Sequence, residues 1–455
     1  MLVATDNVQA LDVQTKIIAL IQALAQDYDL DEPIEPTTAL VADLGFASLD
    51  FVQLVVDIEA AFNRKLGFQA LLVEAGSYIE DIQVGALTTF VQQQLHSDPA
   101  QQVAPGDLFK KAEKSTKAEK PKEAERSERS EKAVNADVVT RFRQTIRARQ
   151  IVADDSGKNA QAIFVLCPPR SGSTLLRVML AGHPQLFSPP ELYLLMYNDL
   201  AQRRTELARE ANSHLLEGTI RSIVELKGVS VETAEQMMAD YEQQQMSTKQ
   251  FYRLLQEWMG DRRLVDKTPL YPLDPGILSR AETDFVDPLY IHLVRHPYGT
   301  IRSYEESKLD RFVPAMYENP FERRQLAELT WLVSHQNITN FLQKVPQQRW
   351  LQLSFEDLVS QPGTAIGNLC DFLGLAVDPV MLEPYTHSQQ RMLSGSRDLT
   401  RMPGDLKFHL HKSIDAAAAC RWQQFFTDDF LADMTWQMAE SLGYSAAEVH
   451  QLAGF

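Results

Sequence analysis

The chain has 455 residues, 44% of them hydrophobic and 23% charged, with a formal net charge of −17. That length predicts two or three units with buried cores, and the negative charge excludes a general nucleic-acid binder, which needs a basic face. Three scattered cysteines (Cys167, Cys370 and Cys420) exclude a disulfide framework or a zinc site.

No basic stretch leads into a long apolar run at the N-terminus, and no apolar run reaches the ~18–20 residues that a membrane span needs. The expectation is a cytoplasmic protein with neither a leader nor a membrane span. Residues 1–95 carry 14 acidic against 3 basic residues, so about a fifth of the chain holds −11 of the imbalance.

Residues 12–26, DVQTKIIALIQALAQ, space apolar positions at three and four, which predicts an amphipathic helix. An Asp-, Glu-, Pro- and Thr-rich loop follows over 27–38. A second helix is expected from Ser48 onward, with Leu49, Val52, Val55, Val56, Glu59 and Phe62 forming a mostly apolar stripe. A third would cover residues 77–95, SYIEDIQVGALTTFVQQQL. This first unit reads as a small all-α bundle with an acidic surface.

Residues 110–132 hold 9 bases, 6 acids and no apolar side chain larger than alanine. Such a segment cannot bury enough surface to offset its ordering entropy, so 96–135 reads as a charged flexible linker. A helical lead-in, 136–154, precedes a second unit over 155–455.

There the pattern changes. QAIFVL (161–166), LYIHLV (289–294) and RWLQLSF (349–355) are short apolar runs of strand formers, and helical stretches separate them. Alternation of this kind predicts an α/β domain with a central parallel sheet and a P-loop-like turn. Residues 195–260, polar and helical, read as an insertion laid over that sheet.

Two constellations carry chemistry. Pro168-Pro169-Arg170-Ser171-Gly172-Ser173-Thr174 stands between a strand and a helix, where backbone N–H groups and the positive helix end favour an anion. Gly172 permits close backbone approach, Ser171, Ser173 and Thr174 add hydroxyls, and Arg170 adds charge. The lysine of a nucleoside-triphosphatase loop, GxxxxGK[ST], is missing. The second is Arg295-His296-Pro297 after LYIHLV, with Ser303 about two helical turns on, able to converge with Arg295 on one phosphate. Two anion sites on neighbouring strand ends suit a doubly phosphorylated nucleotide.

On these motifs residues 161–375 resemble the 3′-phosphoadenosine 5′-phosphosulfate-dependent sulfotransferases. PPRSGSTLL resembles their 5′-phosphosulfate loop, RHPYGTIRS their 3′-phosphate site, and DKTP (266–269) their lysine-bearing segment. The wording is similar to that of sulfotransferase domains in olefin-forming polyketide synthases, which sulfate a β-hydroxyl on a carrier-bound acyl chain. The N-terminal unit resembles an acyl carrier protein on DLGFASLDFVQLVVDIEAAF, with Ser48 as the site for 4′-phosphopantetheine. The aspartate that usually precedes that serine is Ala47 here.

The resemblance implies sulfate transfer from 3′-phosphoadenosine 5′-phosphosulfate to a hydroxyl, without a metal. Lys267 is the first candidate to stabilise developing charge, and Arg170 the second. For the base, Glu191, expected to open a helix after Ser188-Pro189-Pro190, competes with His335 in RRQLAELTWLVSHQNITNFL, which is placed on or beside the apolar face. His335 is favoured, with Glu191 orienting it or the hydroxyl. His296 and His183 read as structural, and Gly395-Ser396-Arg397-Asp398 as a loop that closes over the nucleotide.

Implied partners are an acyl-carrier substrate, a phosphopantetheinyl transferase and an upstream synthase. Where sulfate is to leave, a separate thioesterase is implied, since no Gly-x-Ser-x-Gly elbow occurs in the chain. Residues 195–260 would supply a lid or a carrier-docking face. The alternatives are a sulfotransferase acting on a free metabolite beside an idle carrier, and a non-catalytic binding module.

Overall fold

The computed structural model describes most of residues 13–96 and 133–445; the longest interruptions within these are 25–33, 308–318 and 387–411. The linker expected over 96–135 falls outside the described residues apart from its ends, as do residues 395–398. The chain separates into two compact units.

In the first unit residues 13–22 form α1, Ser48–Ala61 form α2 and Val84–His96 form α3. Their apolar positions share one core, in which Ile17, Ile21, Leu54, Ile58, Leu87 and Val91 are buried. Ser48 is the first residue of α2, as its sequence position suggests. The third helix starts later than expected. Val73–Glu74 (β1) and Ser77–Tyr78 (β2) pair antiparallel, and Leu40 N donates to Ile82 O at 3.0 Å. The Asp81 carboxylate takes the Ile82 amide at 2.8 Å, a local bond that competes with helix. The unit is therefore helical with a short hairpin, rather than all-α.

The second unit opens with α4 (Ala136–Thr145), capped by Asn135, and among the described residues no further helix or strand precedes the sheet. Its strands are β3 (Ile163–Leu166), β4 (Leu186–Phe187), β5 (Arg263–Lys267), β6 (Leu289–Val294) and β7 (Trp350–Ser354). All pair parallel in the order β4-β5-β3-β6-β7. β3 is central and all four of its residues are buried, as a strand with helices on both faces requires.

Helices make every crossover. α5 (Ser173–Leu180) follows β3, and α10 (Pro275–Asp284) links β5 to β6. α11 (Pro297–Ser307) and α12 (Arg323–Leu342) lie between β6 and β7, which α13 (Phe355–Ser360) and α14 (Pro362–Leu373) follow. α15 (Asp433–Ser441) is the last helix among the described residues. In α12, 14 of 20 residues are buried, so this helix runs through the interior rather than along a surface.

Between β4 and β5 stand α6 (Leu200–Leu207), α7 (Glu217–Lys227), α8 (Val231–Gln243) and α9 (Thr248–Met259). These are the helices read as an insertion over the sheet, and they are instead part of its core. Leu200, Ile223, Met238, Phe251 and Leu255 are buried in the same cluster as Phe164 of β3 and Tyr290 of β6. Their polar outer faces gave the stretch its hydrophilic composition, while one apolar stripe per helix does the packing.

Candidate functional site

The crossover from β3 leads toward β4 and β5, and that from β6 toward β7. The chain therefore leaves two adjacent strand ends in opposite directions, and such a switch point is where open α/β sheets bind ligands. Both anion motifs sit there. In the turn after β3, Arg170 and Gly172 adopt left-handed backbone, φ 68° and 82°. Ser171 Oγ ties the turn to Pro168 O at 2.9 Å. Gly172 caps α5 without a side-chain hydrogen bond, so that helix end offers its first amides to whatever anion arrives.

The motifs are stitched together. Arg170 Nε donates to Ser303 Oγ on α11 at 3.0 Å, while Arg295 Nη1 donates back to Arg170 O at 2.8 Å. The Arg295 guanidinium also lies 4.3 Å over the Phe355 ring. Each arginine thus reaches into the other's motif, and Arg170 serves the α11 side as well as its own loop. Ser171 and Ser173 are buried and Thr174 is half-buried. His296 stacks on Trp422 at 4.2 Å, a packing role that agrees with its structural reading.

At the end of β5, Lys267 Nζ meets Glu191 Oε1 at 2.5 Å, and Tyr193 OH donates to Glu191 Oε2 at 2.5 Å. Burial first, then the Glu191 charge, holds the Tyr193 phenol well above its ordinary range, so it remains a donor. Glu191 does not open a helix. It sits in irregular buried backbone, with Tyr193 at φ 52° two residues on, and the next helix begins only at Leu200. Its role comes from the ion pair, not from a helix dipole. Cys167, beside this pair, is pushed up to about 12 by burial and stays a neutral thiol.

One residue before Lys267, Asp266 accepts from Tyr252 OH (2.5 Å), Tyr271 OH (2.9 Å) and Thr268 Oγ1 (3.0 Å). Tyr271 OH also takes the Leu194 amide at 3.1 Å, so this network carries the segment that holds Glu191. Burial outweighs those bonds and raises the Asp266 carboxyl to about 6. The folded protein then keeps a proton that the unfolded chain loses near pH 4, so this group favours folding at low pH and ceases to as pH rises to about 6. In urea unfolding, the stability difference between wild type and Asp266→Asn should therefore decline by about 2–3 kcal/mol over that window. A flat difference would show that Asp266 titrates normally.

His335 is fully buried on α12. Its Nδ1 lies 2.9 Å from Nε2 of His292 on β6, and its ring meets Trp331 edge-on at 4.5 Å. Burial, then the neighbouring His292, holds its imidazole well below the ordinary histidine range and hence neutral. Trp331 Nε1 donates to Arg295 O at 3.0 Å, linking this helix to the turn after β6.

Strand register shows which groups face which way. Lys267 is level with Val165, whereas His292 is level with Leu166, so the two project from opposite faces of the sheet. Glu191 accordingly bonds Lys267 and Tyr193, and the imidazole of His335 takes its partner from β6. The sequence reading missed His292, Tyr193 and Phe355. Only the aromatic in SFEDL and the histidine in LYIHLV were visible, and neither position signals its distant partner. Ser48 belongs to the other unit. Among the described residues no helix is long and apolar enough to cross a membrane.

A sulfotransferase family model matches residues 162–379. The sulfotransferase domain from the curacin biosynthetic pathway is 38% identical with a TM-score of 0.59, over 64% of this chain and 99% of that domain. The sulfotransferase domain from the olefin synthase of Synechococcus PCC 7002 is 37% identical with a TM-score of 0.58, over 65% of this chain and 99% of that domain. No curated protein matches.

Proposed function

The chain belongs to the sulfotransferase family, and we propose that it transfers the sulfuryl group of 3′-phosphoadenosine 5′-phosphosulfate to the β-hydroxyl of a carrier-bound acyl chain. The observation that carries this reading is the Arg170–Ser303 and Arg295–Arg170 pair of bonds, which joins two anion-binding turns at one switch point. A donor with phosphates at both ends of its nucleoside needs two such turns. The uncapped start of α5, with Ser171, Gly172, Ser173 and Thr174, takes the 5′ side, and Arg295 with Ser303 takes the 3′ side.

The donor supplies the sulfuryl group. The acceptor hydroxyl gives its proton to Nε2 of His335 as its oxygen bonds sulfur, and the bond from sulfur to the phosphate oxygen breaks toward the bisphosphate. Lys267 has three N–H donors, of which Glu191 takes one, so charge remains for the oxygen that becomes anionic. Glu191 holds the ammonium, and Tyr193 holds Glu191. A base buried as deeply as His335 favours a slender, extended acceptor, which suits an acyl chain on an arm.

In this reading the first unit is an acyl carrier whose Ser48 bears 4′-phosphopantetheine. The charged segment 96–135 is the tether that raises the local substrate concentration. The partners are a phosphopantetheinyl transferase, a supplying synthase and, if sulfate is to be expelled, a thioesterase, all in the cytoplasm. The whole chain, given labelled donor and a panel of carrier-bound β-hydroxyacyl chains, should form one sulfate ester per bisphosphate released. No transfer to any of them sinks the acyl reading.

Ala47, where carriers usually place an aspartate, favours a second reading in which the acceptor is a free metabolite. Mass spectrometry after incubation with a phosphopantetheinyl transferase and coenzyme A decides between them. Addition of the arm, abolished by Ser48→Ala, supports the carrier; an unmodified chain supports the free acceptor.

A further inference from the structure

Two rungs join α12 to β6. Trp331 Nε1 donates to Arg295 O at 3.0 Å, and four residues on, His335 Nδ1 meets His292 Nε2 at 2.9 Å. Residues four apart share one helix face, so the pair fixes both the rotation and the height of the helix against β6 and the Arg295 turn that follows it. The second rung is unusual chemically. Both of its ends are imidazoles, 2% and 0% exposed, with rings 5.1 Å apart. The outer nitrogen of His335, Nε2, is buried with no hydrogen-bond partner.

A bond between two neutral imidazoles needs one N–H and one lone pair. If His292 donated, His335 would carry its proton on Nε2, leaving a buried N–H orphaned, which folded proteins very seldom accept. If His335 donates from Nδ1, the orphan is a lone pair, and a hydroxyl arriving there satisfies it. Burial pushes the His292 imidazole down to about 3, so it stays neutral and does not compete for a proton.

We propose that His292 is the positioning residue of the transfer: its Nε2 accepts from Nδ1–H of His335 and fixes the tautomer whose Nε2 lone pair faces the acceptor hydroxyl. This rests on the reading of His335 as the base. During transfer the hydroxyl oxygen bonds sulfur, the bond from sulfur to the phosphate oxygen breaks with its electron pair leaving on phosphate, and the hydroxyl proton moves to His335 Nε2. His292 gains and loses nothing. The Nδ1–H bond to it becomes charge-assisted as the imidazolium forms, and so strengthens along the reaction. Because Arg295 directly follows Val294, the last residue of β6, the base and the proposed donor site are held by one strand and the turn behind it.

Two variants and one spectrum test this on the whole chain. His292→Leu removes the acceptor and should lower kcat at least about 100-fold with KM for donor and acceptor within about twofold. His292→Gln restores an acceptor oxygen near the lost Nε2 and should recover at least about a tenth of wild-type kcat. In wild type labelled with 15N-histidine, His335, assigned by its loss in His335→Gln, should show a pyrrole-type Nδ1 and a pyridine-type Nε2. The opposite tautomer overturns the proposal, as does His292→Leu with normal kcat, or His292→Gln no better than His292→Leu. If His292→Leu does not fold, the wild-type spectrum decides. An active His335→Gln removes the base reading itself, whereas an inactive one beside a normal His292→Leu removes only this inference.

Discussion

Lys267→Met should lower turnover about 100–1,000-fold and also lower the melting temperature by several degrees, and the two losses should separate. The side chains of Lys267 and Glu191 are 2% and 10% exposed and meet at 2.5 Å. Methionine fills the volume of the lysine stem but leaves the Glu191 carboxylate in the interior with Tyr193 as its remaining bond. Breaking a buried pair from one side costs about 3–5 kcal/mol, chiefly because the other charge is stranded. Glu191→Gln in the same background removes that charge, so stability should return in the double variant. Turnover should not return, because the cation proposed to meet the departing phosphate oxygen is still missing. The comparison needs thermal melts and steady-state rates of the two single variants and the double. A double variant that regains turnover would mean that Lys267 serves the fold alone; an unshifted melt for Lys267→Met would mean that the pair is not buried in solution.

That pair also marks the limit of what local sequence reveals. The β6 strand was legible to the residue, because LYIHLV is a continuous run of strand formers with a turn behind it. RLVDK, which forms β5, has only two apolar residues in five and does not read as a central strand. Its Asp266 and Lys267 are buried because partners from elsewhere meet them: Tyr252 on α9, Tyr271, and Glu191 from a loop 76 residues away. The strand thus exists by tertiary satisfaction of its polar ends. The prolines before Glu191 suggest the start of a helix, yet the loop stays irregular because the Leu194 and Leu195 amides have a partner in Tyr271 of the Asp266 network. The scaffold of the two proposed anion turns was legible for the opposite reason: strand, turn and helix are contiguous there, in one short stretch. His292 was hidden in plain view, as a strand residue whose partner lies 43 positions on.

The same contrast between local and distant causes sets the second large effect. Gly172→Ala should lower stability and weaken binding of adenosine 3′,5′-bisphosphate at least about 100-fold by calorimetry, and the two losses have separate causes. At φ 82° a side chain costs about 1–2 kcal/mol. The new Cβ would also fall 2.1 Å from Phe355 Cδ2, far inside contact distance. The ring cannot simply retreat, because it is 6% exposed and carries the Arg295 guanidinium on its face. Moving it therefore disturbs the Arg295 turn, proposed to take the 3′ phosphate, as well as the turn after β3, so a single methyl reaches both turns. Gly157 provides the control for the first cause: its φ is 79°, and a Cβ there would meet nothing within 4 Å. Gly157→Ala should cost about 1 kcal/mol of stability and leave nucleotide affinity alone. Phe355→Ala combined with Gly172→Ala should not rescue binding, because removing the ring relieves the clash and at the same time takes away the platform of Arg295. Wild-type affinity in Gly172→Ala would show that the turn after β3 does not hold the nucleotide. Full rescue by the double variant would show that Phe355 only fills space.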